Sequence, residues 1–293
     1  MDEIRTKIDA IDAELVRLFA ERMDAAADIA AYKRAHDLPV LDERREREKL
    51  RAVEAMAPEE LRDYTSALYS LLFELSRCHQ NRLLGRQTEL TEQLRAAIEN
   101  TPQIFPERAT VACRGEEDGP VRRACEKLFR APMDLYFSTY EAVFSAIKKG
   151  LCQYGVLPLE NSTAGSVNAV YDLMMREDFR IVRSVRMPEE GGFTRYICIA
   201  RDLAIYPGAD RTSLSMILPH RPGSLYKILS RFNALGINLI KLESRPLPER
   251  NFEFMFYFDL DSPVYAPRFQ QLMGELGELC EEYRYLGSYS EVV

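Results

Sequence analysis

Along the first third of the chain, apolar residues recur at three- and four-residue spacing: Ile4, Ile8, Ile11, Leu15, Leu18 and Phe19. That period lines one stripe of a helix. No Gly or Pro interrupts the run before about Ala35, so one helix of about nine turns is predicted. Pro39 closes it, a second helix begins near Asp42, and Pro58 precedes a third over "EELRDYTSALYSLLFELSRCHQNRLL". A helix this long has too little core of its own, which predicts a dimer with interlocked helices.

The pattern then breaks. Residues 85–108 are polar and contain Pro102 and Pro106, as a linker would. From 109 the period shortens: "ATVACRG" reads as a strand, "PVRRACEKLF" as a helix, "MDLYF" as a strand, "TYEAVFSAIKKG" as a helix closed by Gly150, and "YGVLPLE" as a buried strand. Alternation of this kind predicts a mainly parallel sheet with ligand sites at the carboxyl ends of its strands. "FRIVRSV", a tight Pro-Glu-Glu-Gly-Gly turn and "GGFTRYICIA" end this unit near residue 204. Over 211–290 the order becomes strand, helix, strand, strand, helix, strand, the ferredoxin-like split unit. The fold class is therefore multidomain, α and α/β: an all-helical domain over 1–84, a linker over 85–108, a single α/β lobe over 109–204 and a βαββαβ domain over 211–290.

Composition narrows the function. A formal charge of −7 and the absence of a Lys/Arg-rich run argue against nucleic acid as a partner, while leaving room for a local basic pocket. No stretch approaches the roughly 20 apolar residues of a membrane span, and the amphipathic start does not read as a signal peptide, so a cytoplasmic protein is expected. Six cysteines and three histidines are dispersed without metal-site spacing, so neither metal nor cofactor is expected.

The helical region carries a polar constellation on its apolar pattern. A helical wheel places Arg22 and Lys33 within about 20° of each other and Arg5 about 100° away, so Arg22 and Lys33 can face one pocket and Arg5 another. Asp42, Arg45 and Glu46 share a face at i, i+3 and i+4. Ser76 and Gln80 lie one turn apart within the stripe of Leu68, Leu72, Leu75 and Leu83. Residues 1–84 resemble the all-helical chorismate mutases over that family's whole domain, with "IRTK", "AERMD", "AAYKRA", "LDERREREKL" and "ELSRCHQNRLL" supplying these eight positions. The resemblance implies that Arg5 enters the partner subunit's site. It also implies a substrate, the dianion chorismate, that rearranges to prephenate by a concerted [3,3] shift without nucleophile or metal. Cations that grip two carboxylates, and donors at the ether oxygen, suffice for that reaction. Arg5, Arg22 and Arg45 suit the carboxylates, Lys33 and Gln80 the ether oxygen, Asp42 and Glu46 the hydroxyl and neighbouring basic groups, and Ser76 a carboxylate.

"YGVLPLENSTAGSVNAVYDLM" resembles the signature of prephenate dehydratases, and "GGFTRYICIA" their Thr-Arg-Phe strand with Tyr196 in place of Phe. The resemblance puts Glu160, Asn161, Ser162 and Thr163 along a cleft, with Thr194 as the acid assisting loss of the prephenate hydroxyl and Arg195 beside it. That family has two lobes, the second inserted after the strand matching "FRIVRSV". Here Met187, Pro188, Glu189 and Glu190 alone separate Val185 and Arg186 from Gly191. A lobe needs at least roughly 50 residues. The family's Gly-x-x-Gly-Ala-Tyr-Ser reads "GEEDGPVRRA", without Tyr-Ser. Dehydratase activity is therefore expected to be weak or lost. "ENSTAGS" reads either as helix capping or as residual anion binding at a helix start.

Residues 211–290 resemble the ACT domain of prephenate dehydratases. "PGSLYKIL" stands where that family has Gly-Ala-Leu, and "GINLIKLESRP" carries Glu-Ser-Arg-Pro. The resemblance implies L-phenylalanine as inhibitor, bound by Gly223, Ser224, Leu225, Asn238, Glu243, Ser244, Arg245 and Pro246 at a subunit interface, the bland alternative being Glu243 and Arg245 pairing on a sheet edge. The expectation is a chorismate mutase of the bifunctional chorismate mutase–prephenate dehydratase family, inhibited by phenylalanine, as a homodimer or larger oligomer. The alternatives are an intact bifunctional enzyme making phenylpyruvate and a non-catalytic phenylalanine-binding regulator.

Overall fold

The amino-terminal periodicity resolves into three helices in the computed structural model, which describes residues 1–84, 88–189, 191–247 and 253–293. Gly85, Arg86 and Gln87 of the expected linker, and Glu190 of the expected turn, lie outside the described residues. The chain divides into two compact units, Met1–Gln87 and Thr88–Val293, each taken by itself below.

In the first unit α1 (Asp2–Ala35) and α2 (Glu43–Met56) both pack on α3 (Arg62–Leu84), which follows a single 3-10 turn at Glu59–Leu61. Asp42 caps α2, its carboxylate accepting from the Arg45 backbone N–H at 2.9 Å. Only Ala26 and Ala30 of α1 are buried, whereas Ile4, Ile8, Ile11, Leu15 and Val16 are each at least half exposed. The stripe read from the sequence thus faces outward from its own chain.

The second unit holds two sheets. β1 (Arg108–Arg114), α5 (Pro120–Leu128), β2 (Ala131–Phe137), α6 (Tyr140–Lys148), β3 (Tyr154–Asn161), β4 (Gly165–Ser166), α7 (Asn168–Arg176), β5 (Arg180–Glu189) and β6 (Gly192–Ala200) build the α/β lobe. After it come β7 (Arg211–Ile217), α8 (Ser224–Ala234), β8 (Asn238–Pro246), β9 (Phe254–Asp261), α9 (Pro267–Leu279), β10 (Glu282–Tyr289) and β11 (Glu291–Val292). The second sheet runs β10-β7-β9-β8, all antiparallel, with α8 and α9 as crossovers. This is the ferredoxin-like order expected from sequence.

Three expectations are corrected. The lobe's sheet, ordered β11-β5-β6-β3-β1-β2 with β4 beside β3, is mixed rather than mainly parallel: β1 pairs parallel with β2 and β3, but β6 runs antiparallel to both β3 and β5. A tight turn can join only antiparallel neighbours, so the short β5–β6 connection dictates this. The stretch expected as a linker contains α4 (Glu89–Asn100), which opens with a Thr88–Thr91 capping box. Leu90, Leu94 and Ala97 of α4 are buried in the core of the ferredoxin-like layer with Leu272 and Leu276; their i, i+4, i+7 spacing is a short helical period that precedes Pro102 and Pro106. Finally, the lobe and the ferredoxin-like layer share one core. Tyr257, Leu286 and Tyr289 pack among Val170, Tyr171 and Ile181, and β11 runs back to pair with β5. A Cβ on Gly287 would lie 2.1 Å from the Ile181 carbonyl oxygen, so only glycine allows β10 to approach β5 this closely.

Folding also gathers cysteines that looked dispersed. Cys113 on β1 and Cys125 on α5 are buried with their Sγ atoms 3.3 Å apart, and Asp134 lies within reach of both. The hydrogen bond to Cys113, reinforced by burial, pushes the Cys125 thiol far above the ordinary range.

Candidate functional sites

Arg22 sits midway along α1 and reaches α3: its guanidinium donates to the Leu72 carbonyl at 3.2 Å and lies 5.8 Å from the centre of the Phe73 ring. Burial lowers its pKa from the ordinary arginine value, offset in part by Tyr69 and Glu46. Lys33, three turns on, donates to the Val40 carbonyl in the bend that leads to α2. Asp42 is committed to the cap of α2, and Arg45, one turn into that helix, is exposed. Gln80 on α3 is 6% exposed, and its Oε1 is buried without a hydrogen-bond partner. A buried amide oxygen in that state holds bonding capacity for a group not supplied by the fold itself. Ser76, one turn earlier, is partly buried. Arg5 is exposed and its nearest acid is Asp2, at 3.8 Å.

A residue the sequence reading missed ties α2 to α3. Arg77, next to Ser76, ion-pairs with both Glu46 of α2 and the buried Glu74 of α3. Burial alone would lower the Arg77 pKa; the two carboxylates outweigh it and raise the value. The i, i+3 spacing of Glu74 and Arg77 was visible in sequence, but the tie to Glu46 crosses 31 positions and is made only by the packing of α2 on α3.

The dehydratase-like residues also converge, but on each other. Thr194 donates to Glu189 at 2.7 Å and accepts from the Asn161 amide at 2.8 Å. Tyr196 donates to the other oxygen of Glu189 at 2.9 Å. Asn161 accepts from the N–H groups of Thr163 and Ala164, both at 2.9 Å. The Ser162 hydroxyl accepts from Phe193 N–H at 2.9 Å, and Thr163 donates to the Gly191 carbonyl at 2.8 Å. The "ENST" segment is therefore stitched to the short β5–β6 turn. A Cβ on Gly192 would lie 2.2 Å from the Ser162 hydroxyl oxygen, so this closeness also requires glycine.

Glu160 and Arg195 face the ferredoxin-like sheet. Arg195, 4% exposed, ion-pairs with the fully buried Asp259 of β9 and with Glu160 at 2.8 Å. Asp259 also accepts from Ser213 at 2.5 Å, and Ser213 bonds Tyr289 at 2.8 Å. Lys241 of β8 ion-pairs with Glu160 and donates to Ser166 at 2.9 Å; Ser166 in turn donates to Glu243 at 2.7 Å. Arg245 grips Asp172 of α7 through two bonds, 3.1 and 3.0 Å.

These bonds divide the expected effector residues. In a strand, alternate side chains point to opposite faces. Glu243 and Arg245 point toward the lobe, whereas Ser244 is exposed and registers with Phe256, which packs on the helix-side core with Leu225. Gly223 and Ser224 open α8, and Asn238, exposed, opens β8. The structure thus separates Glu243 and Arg245 from the others. They do pair at a sheet edge, with the lobe rather than with one another.

With this geometry in place, similarity to known proteins is informative. The family described as Chorismate mutase type II matches residues 4–81, and Prephenate dehydratase matches 111–192. A bifunctional chorismate mutase/prephenate dehydratase of Aquifex aeolicus is 23% identical over 378 aligned positions that cover 100% of this chain and 98% of that protein. The chain belongs to the bifunctional chorismate mutase/prephenate dehydratase family. Among solved structures, the prephenate dehydratase of Streptococcus mutans aligns with a TM-score of 0.56 and 26% identity, over 63% of this chain and 99% of that one. A prephenate dehydratase from Arthrobacter aurescens, solved in complex with L-Phe, shares the fold with a TM-score of 0.54 and 20% identity over 62% of this chain and 89% of that one.

Family membership makes the middle of the chain measurable. The alignment with the Aquifex aeolicus relative has 378 positions and this chain 293 residues, so at least 85 aligned positions have no counterpart here. The Prephenate dehydratase match ends at Gly192, the first residue of β6. Among the described residues, no helix is long and apolar enough to cross a membrane.

Proposed function

We propose that this family member is a phenylalanine-responsive chorismate mutase whose dehydratase-like lobe has become a scaffold. The observation that supports the mutase reading is the match over 4–81, within which Arg22 reaches α3 and Glu46 is tied to α3 through Arg77. Arg22 and Arg45 hold the substrate carboxylates and fix the diaxial shape in which the two ends of the rearranging system meet. Lys33 and the amide nitrogen of the buried Gln80 donate to the ether oxygen and stabilise the negative charge that develops there as its bond to the ring breaks. Glu46 orients the ring hydroxyl. Arg5, exposed on its own chain, completes the site of a second copy, and the outward apolar stripe of α1 is the surface that brings that copy in.

The dehydratase reaction is proposed to be absent. Thr194, expected as the acid, spends its proton on Glu189 at the end of β5, beside the short connection where the family resemblance expects an inserted lobe, and Glu160 and Arg195 are consumed by Lys241 and Asp259. A weak acid such as a threonine hydroxyl needs a closed cleft to assist a leaving group, and the short turn supplies no second wall. Phenylalanine regulation is supported by the Glu-Ser-Arg-Pro segment and the ferredoxin-like topology. Its site is proposed among Gly223, Ser224, Leu225, Asn238, Ser244 and Pro246, with Glu243 and Arg245 acting as ties to the lobe.

The test follows chorismate, prephenate and phenylpyruvate with purified protein, with and without phenylalanine. Chorismate consumption with prephenate accumulation, abolished in Arg22→Ala, is expected. Enzyme-dependent phenylpyruvate lost in Thr194→Ala would establish the bifunctional alternative. Phenylalanine binding without chorismate turnover would establish the regulator.

A further inference from the structure

We infer that Arg77 is a positioning residue for the mutase reaction, acting through Glu46. The inference rests on the mutase reading above and deepens it. Arg77 is not among the eight positions that the family resemblance supplies, and the one of those positions it ion-pairs with among the described residues is Glu46.

Its surroundings explain why a guanidinium stands there. Glu74 is 6% exposed, and Arg77 answers its charge with one amino group, Nη2. A lysine or a single donor would suffice for that alone. The other amino group, Nη1, reaches across to Glu46 on α2, so the planar fork bridges two helices. The Arg77 side chain is itself 14% exposed, which removes most competition from water.

Glu46 needs this support because of where it sits. It lies in the first turn of α2, one turn from the Asp42 cap, and its side chain is 28% exposed. Left alone, a partly exposed glutamate samples many rotamers, and a carboxylate that must meet one hydroxyl loses most of its effect when displaced. Tethered to α3, which also carries Ser76 and Gln80, Glu46 is held in a fixed relation to them. The electrostatic arrangement is two carboxylates to one guanidinium. Removing Arg77 leaves Glu46 facing Glu74 with mutual repulsion, so the carboxylate would swing toward solvent.

The experiment is a double-mutant cycle on chorismate turnover, built in a Glu74→Gln background so that loss of Arg77 leaves no unpaired buried charge. Glu74→Gln alone retains the Arg77 to Glu46 tie and is expected to change kcat/KM less than about threefold. Adding Arg77→Met is expected to lower kcat/KM by about 10- to 100-fold, mostly in kcat, with Arg77→Lys restoring part of it. With Glu46→Gln already present, Arg77→Met should then cost less than about threefold, because its route to the substrate is gone. Losses that multiply independently, or a kcat/KM indifferent to Arg77→Met and Arg77→Lys alike, would overturn the inference. Circular dichroism melts verify that each variant is folded, and Arg77→Lys carries the comparison if Arg77→Met is not. No chorismate turnover by the parent protein would instead overturn the mutase reading itself.

Discussion

The Thr194 hydroxyl donates to Glu189, the last residue of β5, beside the short connection to β6. The group expected to donate a proton in catalysis is thereby engaged in holding a hairpin together. On the proposed reading its role is structural. Thr194→Val should leave chorismate turnover within about twofold and destabilise the second unit by about 1–3 kcal/mol, because Glu189 and Asn161 each lose a partner. Urea denaturation followed by near-ultraviolet circular dichroism measures this. A loss of phenylpyruvate formation in the same variant would restore a catalytic role.

Arg195 and Asp259 join the lobe to the ferredoxin-like sheet by an ion pair buried on both sides. Breaking such a pair from one side leaves an uncompensated charge and costs about 3–5 kcal/mol. Asp259→Ala should therefore destabilise the second unit by that order, whereas Arg245→Ala, whose partner Asp172 is 48% exposed, should cost about 1 kcal/mol or less. Equal effects of the two substitutions would show that the buried pair does not dominate the junction.

Gly192 and Ser162 compete for one volume. Gly192→Ala is expected to destabilise the second unit by about 1–3 kcal/mol through the clash of its Cβ with the Ser162 hydroxyl. Ser162→Ala removes the opposing atom, so the double variant should regain part of the loss. A double variant no more stable than Gly192→Ala would place the strain elsewhere.

Thiol chemistry provides a pH test. Burial pushes Cys280 up to about 12, and burial also raises Cys152 and Cys198. Protonated thiols react slowly. At pH 8 Cys280 carries about a thousandth of the thiolate of a thiol of ordinary pKa, so partly exposed Cys78 should react first with a disulfide reagent, and all six cysteines only after unfolding. Because these folded-state values lie above the unfolded ones, the unfolded chain ionises first as pH rises. The stability contribution is full below about pH 8.5 and falls with increasing pH toward 12. Rapid reaction of Cys280 in native protein would contradict this.

Much of the protein was determined by sequence alone. Local periodicity fixed α1, α2 and α3, because a long apolar stripe without Gly or Pro has one low-energy arrangement. Eight candidate polar positions on those helices came from the resemblance of their motifs to the chorismate mutases, and the ferredoxin-like order from its alternation of periods. The shortness of the connection after Arg186 was also legible, and with it the expectation of a single lobe. What sequence could not determine was pairing at a distance. That Arg77 meets Glu46, that Arg195 meets Asp259, and that Glu243 and Arg245 turn toward Ser166 and Asp172 are consequences of layers packing together. The same holds for α4, whose apolar face acquires meaning only against α9 and the sheet beneath it. Side-chain period is local and recorded in neighbouring residues, whereas burial and charge pairing depend on which surfaces meet, and only the tertiary structure decides that.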